Sequence, residues 1–140
     1  MIDFEKLRKS LKHLELQFQN YKRAQTRSGL SELDREAIAE SVVQRFETCY
    51  DTLWKNLRRT LDEKLGLADV PSSPKPVIKL AGQNNLLPSS VDQWLNYADA
   101  RTATAHDYSE EKATKAISVV GDFINDAISL YQTMSGKPWE

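Results

Sequence analysis

Gln44-Arg45-Phe46-Glu47-Thr48-Cys49-Tyr50-Asp51-Thr52-Leu53-Trp54-Lys55-Asn56-Leu57 carries its apolar side chains at helical spacing. Phe46, Tyr50, Leu53 and Leu57 are separated by 4, 3 and 4 residues. Such steps put them on one stripe of a helix, whereas a half-buried strand needs strict alternation. The stripe extends upstream through Val42 and Ile38 and downstream through Leu61 and Leu65, with Val43 and Trp54 flanking it. Ser31 is an N-cap residue with Asp34 in the capping-box position, where Asp is a weaker partner than Glu. Gly66 is a C-terminal stop. One long helix is therefore expected from Ser31 to about Leu65.

The same logic runs outward from this helix. Phe4, Leu7, Leu11, Leu14, Phe18 and Tyr21 repeat at steps of 3, 4, 3, 4 and 3, which predicts a first helix from about Asp3 to Arg27, ended by Ser28-Gly29. Downstream, residues 67–76 hold three prolines and exclude regular helix. A short, weak helix follows from about Lys75 to Leu86, with Pro74 and Pro76 near its first turn. Leu87-Pro88-Ser89-Ser90 restarts the chain, and Ser90 caps a helix whose inward residues are Val91, Trp94, Leu95 and Ala98. Ser109 then precedes Glu110-Glu111, acids suited to a helix's first turn. The last helix carries the seam Ala113, Ile117, Val120, Ile124, Ala127, Tyr131 and Met134, and ends at Gly136 and Pro138. The sum is all-α: four substantial helices plus a short one. Seams near a 3.5-residue period favour an antiparallel up-and-down bundle, expected as a single domain over residues 1–140.

Bulk charge narrows the function. Nineteen Lys and Arg against twenty Asp and Glu leave a net charge of −1, which is not the balance of a protein that coats nucleic acid. Any RNA or nucleotide site must be local. Cys49 is the sole cysteine, so no internal disulfide forms and a reducing compartment fits. Met1-Ile2-Asp3-Phe4-Glu5-Lys6 lacks the apolar stretch of a signal peptide, and no apolar run is long enough to span a bilayer. A cytoplasmic protein is expected. No His/Cys cluster has zinc spacing and no acidic loop suggests calcium, so no metal site is expected. There is no Gly-rich phosphate loop and no cofactor fingerprint. His13 reads as a surface residue off its helix seam, and Cys49 as a buried inert thiol. Lys55, Arg58 and Arg59, like Lys22, Arg23 and Arg27, read first as solvated helix faces.

The chemistry concentrates in Arg101-Thr102-Ala103-Thr104-Ala105-His106-Asp107-Tyr108. Within eight residues stand an anion clamp, a near-neutral proton carrier and a phenol. From periodicity and composition alone, such a trio reads first as a capping and packing cluster. Its chemical reading is phosphodiester cleavage: His106 moves protons to or from an RNA 2′-hydroxyl or leaving oxygen, and Arg101 braces the charge on phosphorus. On an unbroken helix, positions 101 and 106 lie roughly 140° apart. Arg101 and His106 converge only if the helix ends between them and the chain turns, and the restart at Ser109 suggests that turn. One motif histidine per chain further suggests a symmetric dimer that brings two copies together.

The chain resembles the HEPN superfamily (higher eukaryotes and prokaryotes nucleotide-binding), and within it the HepT-like, nucleotidyltransferase substrate-binding group. The resemblance rests on the R-x4-H-x-Y form of Arg101, His106 and Tyr108, on the long helix containing residues 44–57, and on the Pro-rich connection and short helix before the motif. It implies a helical-bundle homodimer with the motifs facing each other. It implies a partner, a small minimal nucleotidyltransferase, and RNA or nucleotide as substrate or ligand. In the toxin–antitoxin version the HEPN protein is a metal-independent ribonuclease with Arg101 and His106 as catalytic residues. The partner silences it by transferring AMP to the motif tyrosine, here Tyr108, where added bulk and charge would crowd Arg101 and His106. Thr102 and Asp107 are supporting positions. The family commonly has Asn after the motif Arg; Thr102 keeps a hydroxyl but lacks the amide's paired donor and acceptor. Two other readings stand beside the ribonuclease: a non-catalytic subunit that presents nucleotide to a nucleotidyltransferase with Arg101 as anchor, and a purely structural helical adaptor.

Overall fold

The computed structural model of the protein describes residues 1–106 and 110–140, and the side chains of 1–105 and 111–140. Asp107, Tyr108, Ser109 and the side chain of His106 lie outside the described residues. Five α-helices follow in chain order: α1 (Glu5–Thr26), α2 (Glu32–Arg59), α3 (Pro74–Gln83), α4 (Val91–His106) and α5 (Glu110–Ser135). No strand occurs among the described residues.

The signals at the helix ends work as their chemistry requires. At Ser31 both bonds of the capping box form: the Asp34 amide donates to Ser31 Oγ at 3.0 Å and the Ser31 amide donates to Asp34 Oδ2 at 3.1 Å, so Asp suffices there. Arg35 locks the α1–α2 turn by donating to the carbonyls of Ala24 and Arg27, each at 2.8 Å. Pro74 occupies the first turn of α3, where its missing N–H costs nothing. Gln93 N–H donates to Ser90 Oγ at 3.1 Å and starts α4.

Three expected boundaries shift. α2 stops being α-helical at Arg59 and widens into a π-helical turn over Thr60–Lys64, in which the Leu65 amide donates to Thr60 O at 3.1 Å. The wider turn keeps Leu61 fully buried while swinging Leu65 out of the seam to 43% exposure. Lys64 is meanwhile held over the Phe4 ring and donates to the Met134 carbonyl. α3 ends at Gln83 rather than Leu86, because Asn85 adopts a left-handed φ of 59°. α4 runs unbroken through His106, so the expected break between Arg101 and His106 is absent.

α1, α2, α4 and α5 make an up-and-down bundle. Arg101 of α4 meets Asp51 of α2 while Thr104 meets Glu47, so these helices are antiparallel. Tyr97 of α4 meets Asp126 of α5, also antiparallel. Phe18 lies beside Gly121 and Lys12 beside Trp139, which runs α1 against α5. The short α3 packs on α2 and α4. It comes close because residue 82 is glycine: a Cβ there would collide with Val91 Cγ2. The core centres on Phe123, whose ring makes edge contacts with Phe46 at 5.0 Å, Tyr97 at 5.3 Å and Trp94 at 6.3 Å. Such aromatic geometry adds to simple burial. Among the described residues no helix is long and apolar enough to cross a membrane.

Candidate functional site

Arg101 reaches from α4 across to α2. Its Nη1 donates to Glu47 Oε2 at 2.8 Å, while Nε and Nη2 grip the two oxygens of Asp51 at 3.2 and 3.1 Å. Glu47 and Asp51 are four residues apart, so one helix turn offers both carboxylates on the same face. Thr104, buried, adds a donation to the same Glu47 oxygen at 2.8 Å. The hydrogen bonds to Asp51 push the guanidinium pKa up from its already high value. One cation against two carboxylates leaves this cluster with a net charge of −1. Three of the guanidinium's five N–H groups are taken among the described residues, and two remain to meet a ligand.

Arg101 stands in the wall of a cleft of about 610 Å³ between α2, α3 and α4. The volume is within the usual range of ligand pockets, roughly 300–1,000 Å³. α2 supplies Tyr50, Asp51, Trp54 and Lys55; Ser73 and α3 supply the opposite rim with Pro74, Lys75 and Pro76; α4 supplies Ala98, Thr102 and Ala105 besides Arg101. Lys75 pairs with Asp99 at 2.6 Å on the surface, and Lys55 is exposed. Tyr50 is 2% exposed, and its hydroxyl has no hydrogen-bond partner among the described residues. Burial, and then the nearby Asp51 carboxylate, push its pKa up, so the phenol stays protonated and a donor. Asn56 Oδ1 and Trp94 Nε1 are also buried without partners among the described residues, but only Tyr50 of the three lines the cleft. A buried polar atom left unpaired costs about 1–3 kcal/mol.

The description "nucleotidyltransferase substrate binding protein like" matches residues 2–136 of the chain. The chain belongs to that family. A relative from Haemophilus influenzae, described as probable ribonuclease HepT, is 24% identical over 102 residues, covering 71% of this chain and 69% of that protein. The solved structure of HI0074 from the same organism, described as the fold of a substrate-binding domain of a nucleotidyltransferase, superposes with a TM-score of 0.84. It is 20% identical and covers 95% of this chain and 99% of its own, a likeness of fold. A crystal structure from Thermus thermophilus gives a TM-score of 0.61 at 28% identity over 88% of this chain and 96% of its own. Membership of the nucleotidyltransferase substrate-binding-like family and the all-helical fold thus agree with the resemblance carried by the sequence.

The residues expected at the family's site fare unevenly. Arg101 lies in the cleft wall, but engaged by acids rather than bare. Thr102 is exposed, and its hydroxyl donates back to Ala98 O at 3.0 Å within the helix. His106 ends α4, about 140° around the helix from Arg101; the two do not converge on one face of this chain. The Thr102 hydroxyl donates to Ala98 O, and the single Thr104 proton is shared between Glu47 Oε2 and Arg101 O; α4 stays helical here, where a turn was expected. Asp107 and Tyr108 lie outside the described residues. Sequence reading assigns no role to Glu47, Asp51, Thr104 or Tyr50. Their signal is present as two acids at i and i+4 beside an aromatic seam, but nothing in sequence pairs that face with Arg101, fifty residues away.

His13 is exposed. Cys49 is buried, and burial pushes its thiol up to about 12. Arg58 donates to Pro71 O and Arg59 pairs with Glu63, so these two basic residues of α2 serve local structure, while Arg45 and Lys55 are exposed. Among the described residues no group of three His, Cys, Asp or Glu side chains could hold a metal ion.

Proposed function

We propose that this chain is a single-domain HepT-like toxin of a toxin–antitoxin pair, acting in the cytoplasm as a metal-independent endoribonuclease. The observation that carries it is the Arg101 guanidinium, fixed by Glu47 and Asp51 in the wall of the cleft with two N–H groups unspent among the described residues. A rigid, partly desolvated guanidinium is suited to the charge that builds on phosphorus in phosphodiester cleavage. His106 supplies proton transfer. The RNA 2′-oxygen attacks phosphorus as its proton leaves to one imidazole, and the P–O5′ bond breaks as a second imidazole gives a proton to the departing oxygen. The products are a 2′,3′-cyclic phosphate and a 5′-hydroxyl. Because positions 101 and 106 face different ways on one helix, the reading requires a homodimer, in which a second copy brings its own α4 end to the same phosphate.

The partner is a minimal nucleotidyltransferase. It silences the toxin by joining the Tyr108 phenolic oxygen to the α-phosphorus of ATP, with pyrophosphate leaving and the phenolic proton released. AMP on Tyr108 would add bulk and negative charge that compete with RNA for Arg101 and His106. Purified chain should cleave single-stranded RNA in the presence of a chelator, and Arg101→Ala or His106→Ala should lower the rate at least about 100-fold. Absence of cleavage by the wild type without its partner, or full cleavage by His106→Ala, overturns the reading. The second reading, a non-catalytic subunit that presents nucleotide to the nucleotidyltransferase, is favoured by the volume of the cleft beside Arg101, about 610 Å³. It predicts nucleotide binding lost in Arg101→Ala, with no nuclease at all.

A further inference from the structure

We propose that the cleft between α2, α3 and α4 is a nucleobase subsite that takes one unstacked nucleotide, its base against Trp54 and the Tyr50 hydroxyl and its phosphate toward Lys55 and Arg101. The inference rests on the reading that Arg101 meets a phosphate, and it adds what flanks that phosphate. Trp54 and Tyr50 sit one turn apart on α2, so indole and phenol share a face, and both line the cleft. The indole is half-buried, leaving part of its surface for stacking. The Tyr50 hydroxyl is a buried donor without a partner among the described residues, within the field of Asp51 and Arg101 at the same wall. A base nitrogen or carbonyl would satisfy it. Pro74 and Pro76 form a stiff opposite rim.

Charge selects the rest. Lys55 follows Trp54 on the same rim and is exposed. With the two Arg101 N–H groups left over among the described residues it offers cationic donors on one wall, and Lys75 adds a cation on the other, in a cleft that also holds Asp51, Ser73 and Thr102. Asp51 and Asp99 neutralise much of the local positive charge, so stacking and the phenol must carry a large share of the affinity. A cleft this size admits a nucleotide and excludes a base-paired stack, so a base must leave its stack to enter. The same chemistry is offered by a free nucleotide and by one nucleotide of single-stranded RNA.

The test uses the whole chain and two probes that it cannot cleave: AMP, and a short single-stranded 2′-deoxyoligonucleotide with its complementary duplex as control. Calorimetric titration should show the single strand binding at least about tenfold more tightly than the duplex. Trp54→Ala should weaken single-strand binding about tenfold or more, Trp54→Phe should recover part of it, and Tyr50→Phe should cost a few-fold. Competition by AMP assigns the subsite to free nucleotide as well as RNA; binding of the strand without competition assigns it to RNA alone. Equal binding by wild type and Trp54→Ala, or no binding of either probe at millimolar concentration, overturns the proposal. Because neither probe has a cleavable bond, failure of the ribonuclease reading leaves this result intact. Conversely, RNA cleavage with an unchanged KM in Trp54→Ala removes the subsite and leaves the ribonuclease.

Discussion

Tyr50 of α2 and Tyr97 of α4 both bring a ring to Phe123 of α5, with centroids 6.4 and 5.3 Å away, and both are almost fully buried. Their hydroxyls end differently. That of Tyr97 donates to Asp126 Oδ2 at 2.5 Å and accepts from Gln93 at 3.0 Å, and Ser89 joins the same carboxylate at 2.9 Å. That of Tyr50 meets no partner among the described residues. On the α5 side the fold closes its polar bonds within itself and fixes the start of α4. On the α3 side it leaves a buried donor unpaired in the wall of a cleft. The contrast separates a structural phenol from one available for binding, although burial alone rates them the same.

Removing the ring they share should have the largest effect. Phe123→Ala deletes contacts to Phe46, Trp94, Tyr50 and Tyr97 together and should cost about 3–5 kcal/mol in urea unfolding. A much smaller loss would mean that the two tyrosines are not held by a common core. The hydroxyls come next. Tyr97→Phe removes one of the two donors to the Asp126 carboxylate and leaves Gln93 without its acceptor, and should cost about 1–3 kcal/mol, whereas Tyr50→Phe, which deletes an unpartnered group, should be close to neutral or slightly stabilising. Equal losses in the two variants would erase the distinction. The smallest effect is alkaline. Cys49 stands beside Tyr50, and its folded thiol is pushed up to about 12 from an ordinary value near 9. A folded pKa above the unfolded one gives stability that is complete below the unfolded value and is lost as pH rises toward the folded one. Unfolding free energy should therefore fall from about pH 9 upward, by at most about 1.4 kcal/mol per pH unit for this group. Comparing wild type with Cys49→Ala in denaturant series at pH 8 and 10 measures the difference.

Much of the fold was legible because helix seams repeat over many turns. α1 and the start and seam of α2 were legible, though not the π-helical turn that ends α2, and Leu7, Leu11, Leu14, Phe46 and Leu53 are fully buried as their spacing requires. α5 shows where spacing misleads. The seam through Ile117, Ile124 and Tyr131 runs one residue beside another, Ala116, Val120, Phe123, Ala127, Leu130 and Met134, and every member of the second is buried. Adjacent stripes share Val120, Ala127 and Met134, so spacing alone could not reveal Phe123 as the centre of the core. The site was less legible for a different reason. The motif drew attention to Arg101, but its partners Glu47 and Asp51 are set by which helix packs beside α4, a tertiary fact. The turn expected between Arg101 and His106 failed because no glycine or proline stands between them and Ala103 and Ala105 favour helix.

Gly82 places a control on the cleft at a distance from it. α3 carries the proline rim at its first turn and Gly82 near its last, where it presses against Val91 at the start of α4. The helix is thus a short lever with its fulcrum at the glycine. A side chain at 82 must push aside either Val91 or the helix itself, and a shift of the helix changes the width of the opening at Pro74 and Pro76. Selection can then tune the aperture, and with it the size of what enters, without altering a single residue that touches the occupant.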